Sequence, residues 1–440
     1  MTKLLDLLKG EVDAAEQARV TKRVSQVAFR EGKPREACTS ERLGHSLRVI
    51  AEGRLGTATA TGPLDAELAA TVARAALMSA AAGEVALYDF PAAAEYADPE
   101  LYDPHTAGLV LADLVALGRA TVEELSVLAP DFELSLDVAL IIKEESLTNS
   151  RGIAAEQRST LVGVGMHLSR ASADDLVNLY AEASAREPRA AFAQARAALL
   201  RRLEWSRHEA RVGSGRLPVL LLPDAAAVLF VPLEEGLDGL DAALGTSPLG
   251  GRVGQAIFDR RLSLIDDGTL VGGALSSRFD GEGVPRRRTP LVRLGELRSY
   301  YHDLHSAARL GVRSTGNGLR ADVGLPARGP GNWVVEAPAT AFDRLLRDVG
   351  RGLLVGDLLG MGQANTRDGA FSSPVGLGFL VDGGEVVGRV SDLSIAGNAY
   401  EVLRSGFVAA GDDAAWTEAL GFPLHVPTLA TDGLSVVAKA

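Results

Sequence analysis

At 440 residues, with 47% hydrophobic and 23% charged side chains, the chain is long enough for two or three domains and too apolar to be disordered. A formal charge of −12 disfavours a nucleic-acid backbone as the main ligand, because that needs a clustered basic surface. The one conspicuous basic run, Arg286-Arg287-Arg288, reads as a solvated strand edge.

The single cysteine, Cys38, excludes an intrachain disulfide and a Cys-rich structural zinc site, and its flanks (EACTS) offer nothing that would activate a thiol. The N-terminus meets Asp6 before an apolar signal region can build, and Leu217 to Leu233 is interrupted by Pro218, Pro223, Asp224 and Pro232. No secretory leader and no membrane span are therefore expected, and the cytoplasm is the default compartment.

In chain order, residues 1 to about 19 read as an amphipathic helix. Leu47 and Val49 then alternate with Ser46 and Arg48, Glu52-Gly53 gives a turn, and Thr57, Thr59 and Thr61 alternate with alanine, which is a hairpin signature. Leu64, Leu68, Val72, Ala75 and Ser79 share one helix face. Val85 to His105 has no period and reads as a long connection before a helix from about Ala107 to Leu128. Two further strands follow: Phe132 to Leu140, and Val162 to Ser169 with His167 on its polar side. A helix over Arg189 to Arg207 leads to Val212-Gly213-Ser214-Gly215, where the domain boundary is placed.

This pattern predicts an α+β fold. Its N-terminal half, 1–212, is α/β and built of two hairpin-plus-helix blocks, about 17–84 and 106–210. From 217 to 440, short strands divided by glycine (Ser263 to Ile265, Leu291 to Tyr301, Trp333 to Glu336, Gly376 to Val381, Glu385 to Val390) predict a β-rich, barrel-like or twisted-sheet domain. One helix is expected there, over Ala339 to Val349.

Candidate chemistry is sparse. His302 and His305 are the one close histidine pair and, with Asp303, the low-ranking metal candidates. Their flanks (LRSYY) read as a strand, which would set the two rings on opposite faces. Asp266-Asp267-Gly268 and Asp280-Gly281-Glu282-Gly283 could pair carboxylates but read better as turns. Gly316-Asn317-Gly318 and Gly360-Met361-Gly362 lack the context of a phosphate loop. They are instead candidates for the close approach of an extended peptide backbone, the sites in question being Gly316, Asn317, Gly318, Gly360 and Gly362. The apolar stretch Pro223 to Gly251, a buried helix entering a Gly-Thr-Ser loop, contains neither histidine nor cysteine.

Several motifs occur in a telling order: LRVIAEGRLG (Leu47 to Gly56), NSRG (Asn149 to Gly152), SSRFDGEGVP (Ser276 to Pro285), SAARLG (Ser306 to Gly311), STGNG (Ser314 to Gly318) and IAGN (Ile395 to Asn398). Together they resemble the TldD/PmbA family, once called modulators of DNA gyrase and regarded as metalloproteases. The resemblance implies one of two kinds of subunit. The TldD kind carries His-Glu-x-x-x-His on a helix and a metal-binding cysteine near its C-terminus; the TldE (PmbA) kind lacks both and pairs with the first. Two histidines on one helix face ligate zinc and the glutamate takes a proton from its bound water.

Counting back from Gly245-Thr246-Ser247, which resembles the loop after the family's metal helix, the histidine positions fall on Phe230 and Glu235 and the glutamate position on Val231. The resemblance therefore implies a TldE-like subunit with no catalytic residue and no metal of its own. Its zinc is expected in a TldD-like partner of a heterodimer, acting on unfolded or extended peptides, including peptide antibiotic precursors and antitoxins. The alternatives are an independent homodimeric metallopeptidase with ligands foreign to the family, such as His302 and His305, and a non-catalytic peptide-binding protein.

Overall fold

The computed structural model describes residues 4–172, 175–321, 324–361, 367–419 and 421–438. Its N-terminal half is one antiparallel sheet: β1 (Ala14–Arg30), β2 (Lys33–Ala51), β3 (Arg54–Thr61), β4 (Glu133–Asn149), β5 (Ala154–Ala171) and β6 (Leu176–Ala185), in the order β3-β2-β1-β4-β5-β6. The two expected blocks are thus fused. β1 of the first pairs with β4 of the second from Glu16↔Asn149 to Phe29↔Leu136. The β1–β2 and β2–β3 turns place Glu31-Gly32 and Glu52-Gly53 at positive φ, as tight hairpin turns of this hand require.

Alternation puts Leu134, Leu136, Val138 and Leu140 of β4 on the buried face, where they meet Val162, Val164, Met166 and Leu168 of β5. Helices Ala66–Ala81, Leu111–Leu128 and Pro188–Trp205 pack on the sheet. The second comes so near that a Cβ on Gly118 would stand 2.3 Å from Phe29 Cε2, so no larger residue fits without displacing that ring.

The expected N-terminal helix is overturned. Only Leu4–Leu7 is helical, and β1 begins at Ala14. Residues Ala14 to Ala18 are buried without alternation, since this central strand is covered on both faces. A run of alanine, glutamate and glutamine then mimics helix propensity, and tertiary pairing overrides it.

The C-terminal half holds a long sheet curled into a half-barrel. A second, six-stranded sheet includes Ser263–Asp267, Arg288–Arg293 and Trp333–Glu336. The expected strand Leu291 to Tyr301 is split, because Leu294-Gly295 turns the chain at positive φ. The expected helix over Ala339 to Val349 starts at Phe342.

The two halves share a core. Leu199 of the Pro188–Trp205 helix clusters with Leu220, Leu354 and Phe379 of the C-terminal sheet. Trp205 stacks on Phe342 at 5.9 Å and meets Phe379 edge-on at 5.4 Å. Among the described residues, no helix is long and apolar enough to cross a membrane.

Candidate functional site

The stretch from Pro223 to Gly251 is largely buried up to Gly239 and exposed at Leu244 to Thr246, and it is not one helix. It runs as Pro223–Ala226, a 3-10 turn Ala227–Leu229, Val231–Gly236 and Gly239–Leu244. Pro232 sits in the first turn of the third piece, where its missing N–H breaks the ladder at no further cost. Asp238 caps the fourth piece, accepting from Leu240 N at 2.7 Å and Asp241 N at 3.1 Å. Gly245 ends that piece in the left-handed conformation. Ser247 Oγ then donates to the Gly236 carbonyl at 2.7 Å, which fastens the loop back onto the helix.

Phe230 and Val231 are 2% and 3% exposed and belong to the apolar core that also holds Trp333 and Leu233. Glu235 is half-buried, with Arg367 Nε 3.9 Å from its carboxylate. A phenyl ring and an isopropyl group carry no lone pair, and one carboxylate does not make a zinc site. These residues do not fit zinc. Among the described residues, no group of three or more His, Cys, Asp or Glu side chains converges as a metal-ligand set.

His302 and His305 lie beside this segment. The strand reading of their surroundings is corrected: Asp303 caps a helix Leu304–Leu310, accepting from Ser306 N at 2.7 Å. The His302 ring is buried against Gly239, where an added Cβ would lie 2.1 Å from Nδ1, and pairs with Ser306 Oγ at 3.3 Å. His305 Nε2 instead accepts from Arg309 Nε at 2.9 Å, and its ring meets Tyr88 at 6.4 Å. The two rings face different neighbours and do not form a pair.

Burial pushes His302 down to about 4, against the pull of Asp303 and Asp238. A histidine lowered on folding adds stability above its ordinary value of about 6.5 and loses it as pH falls towards the folded value. Unfolding free energy should therefore drop by up to about 3 kcal/mol between pH 6.5 and 4 from this group. The His302→Gln variant should show a flatter profile in urea titrations over that window. An unchanged slope would rule the assignment out.

The densest chemistry lies between the halves. Glu16, Arg48 and Glu282 are 1%, 3% and 2% exposed. Arg48 grips both oxygens of Glu16 at 2.9 Å and reaches Glu282 Oε1 at 2.8 Å. Arg320 adds a 2.9 Å contact to Glu16, and Glu282 Oε2 accepts from Leu304 N at 2.7 Å. Asp280 accepts backbone N–H groups from Glu282, Val284 and Gly318, each at 2.9 Å. Burial, and at Asp280 the neighbouring Glu282 carboxylate, push both acids above the ordinary carboxylate range. Asp280-Gly281-Glu282-Gly283 is therefore a turn, as expected, whose carboxylates are spent on a junction.

Asp266 departs from the turn reading. It lies within a strand, 2% exposed, and accepts from Asn317 Nδ2 at 2.8 Å and Gly331 N at 2.7 Å. Arg286 is not a solvated edge either: it is 3% exposed and donates to the Gly316 carbonyl.

The first glycine cluster is interior. Gly316, Asn317 and Gly318 are buried, and their N–H groups go to Ser314 Oγ, the His302 carbonyl and Asp280. No backbone donor remains there for a peptide. Gly360 is exposed at φ +69°, and Gly362 lies outside the described residues. A cleft of about 600 Å³ opens elsewhere, between the polar face of the first sheet and a C-terminal hairpin. Asp137, Gly163, Glu182, Trp416, Glu418 and Phe422 line it.

Two family profiles match the chain: the PmbA/TldA metallopeptidase C-terminal domain over residues 214–438 and the PmbA/TldA metallopeptidase domain 1 over residues 18–79. The chain belongs to the PmbA/TldD metallopeptidase family. It is 29% identical over 203 residues to the metalloprotease PmbA of Escherichia coli O157:H7, a match covering 46% of this chain and 42% of that one. To a metalloprotease TldD homolog of Buchnera aphidicola it is 28% identical over 229 residues, covering 49% and 47%. The chain thus matches less than half the length of these relatives. The solved structure of TldE from Thermococcus kodakarensis superposes with a TM-score of 0.89 at 20% identity, covering 99% of this chain and 100% of that one, a likeness of fold.

Within this PmbA/TldD fold, the motifs RVIAEG and FDGEG meet at the Arg48–Glu282 contact. The sequence displays both motifs, yet nothing in their spacing says that residues 234 positions apart share a hydrogen bond. A buried arginine in an alternating strand was the one available signal, and it reads equally as an exposed face.

Proposed function

We propose that this chain is a metal-free, TldE-like subunit that pairs with a TldD-like zinc metalloprotease and helps it bind and process unfolded or extended peptides in the cytoplasm. One observation carries the reading. By the count back from Gly245-Thr246-Ser247, the family's two histidine positions correspond to Phe230 and Glu235 and its glutamate position to Val231, and Phe230 and Val231 are packed into the core. The zinc of such a complex resides in the partner, and this chain contributes walls and substrate contacts. Of the described glycines suited to backbone approach, Gly360 is the exposed one. The 600 Å³ cleft, with Trp416 and carboxylates on a glycine-flattened sheet face, offers room for an extended chain.

Co-expression with a TldD-type chain carrying His-Glu-x-x-x-His tests the proposal. Size exclusion should give a single heteromeric species that contains zinc and cleaves a denatured peptide, while the isolated chain binds no stoichiometric zinc. A homodimer indifferent to that partner, or zinc held by the isolated chain, would overturn it.

A further inference from the structure

A second pocket, of about 360 Å³, lies where the irregular connection before the second block meets the C-terminal half. Tyr88, Val284, Arg287, Leu304, Val312 and Arg313 are among its lining residues. Its walls are aliphatic, and its charges are of one sign. Arg287 donates to the Ser314 carbonyl, and Arg313 makes no ion pair or hydrogen bond with any described residue. Such a pair is out of place here, because the chain has 57 acidic against 45 basic residues and could have neutralised either one.

The neighbouring acids are committed elsewhere. Asp280 holds three backbone N–H groups, Glu282 holds Arg48 and Leu304 N, and Asp303 caps its helix. Loss of water around it, and then the charge of Arg313, press the Arg287 guanidinium below its ordinary value, against the pull of the buried Asp280 carboxylate. The Tyr88 hydroxyl, which accepts from Arg48 NH1 at 3.4 Å, keeps its own proton available for a further acceptor.

We infer that this pocket binds the C-terminal carboxylate of a peptide, with Arg287 and Arg313 on the carboxylate and the last, aliphatic side chain against Val284, Leu304 and Val312. Guanidinium groups are the side chains best matched to a carboxylate. The volume suits one apolar residue and its terminus, and is too small for a folded partner. The Leu304–Leu310 helix, which supplies Leu304 to the pocket, also packs on the Gly239–Leu244 helix, whose cap Asp238 is gripped by Arg328 Nε at 2.7 Å. A chain end held here would be anchored in a subunit that does no chemistry. The inference deepens the peptide-handling reading and rests on it for substrate class, though not for the existence of a partner.

The test uses the isolated full-length chain and a fluorescent tripeptide ending in leucine, as the free acid and as the C-terminal amide. Anisotropy titrations should show the acid binding about ten- to a hundredfold tighter than the amide. Arg313→Gln should lower acid affinity about tenfold without altering the amide's. Because Arg313 is exposed and bonded to nothing described, that variant should keep the parent melting temperature. Arg288→Gln, whose arginine pairs with Glu336 instead, should bind as the parent does.

Equal binding of acid and amide, no binding of either, or indifference to Arg313→Gln would each overturn the inference. Displacement by inorganic phosphate as tight as the peptide's own binding would reassign the pocket to free anions and overturn it too. Partner association is measured separately, so failure here leaves the helper-subunit proposal standing, and failure there leaves this one.

Discussion

The Arg48→Met variant is expected to lose about 3–5 kcal/mol of unfolding free energy, because it strands two buried carboxylates. Arg48 is the only cation that touches both Glu16 from the first half and Glu282 from the second among the described ion pairs. Methionine keeps much of its volume but leaves Glu16 to Arg320 alone and Glu282 with one backbone N–H. The lost charge, not a lost contact area, dominates. Replacing Arg48, Glu16, Glu282 and Arg320 together with apolar residues should recover most of the loss, since no charge is then left unpaired. Urea unfolding at neutral pH measures both. A single-variant loss below about 1 kcal/mol would mean that water reaches the junction.

Phe230→Ala is expected to cost a similar amount, about 3–5 kcal/mol, the range for deleting a buried aromatic side chain. Glu235→Ala should stay within about 0.5–1 kcal/mol, because its carboxylate is half-buried and Arg367 Nε stands a loose 3.9 Å from it. The contrast separates two readings of this segment. Positions that merely lost their ligands would tolerate truncation at one residue as at another. Positions rebuilt as core would not. Comparable small losses at both would show that Phe230 is dispensable filler, and the reading of this segment as repacked interior would fail.

How much of this was legible beforehand follows from the range of each interaction. The β4 and β5 strands could be read from alternation, because each has one apolar face, and the helix over Pro188–Trp205 from its stripe. β1 could not, since its first residues are buried on both sides and alternation vanishes there. That Phe230 and Val231 cannot ligate zinc was readable because chemistry forbids it whatever the fold. Their core packing was not, for it depends on Trp333 and other residues about a hundred positions away. The glycines at 316 and 318 were misleading for a related reason: close approach was correctly inferred, but what approaches is the protein's own Pro285 carbonyl and Glu282 side chain. His302 was misread because Asp303, a good helix cap, was weighed less than the aromatic residues before it.

The Trp205 indole, wedged between Phe342 and Phe379, has a bearing on how the molecule comes apart. A proteolytic nick in the exposed Gly213-Ser214-Gly215 connection would sever the backbone where the sequence changes character, yet the fragments should stay clasped and co-migrate. Neither could be discarded without baring a leucine-rich surface to water. Melting should accordingly be a single event spanning the nick.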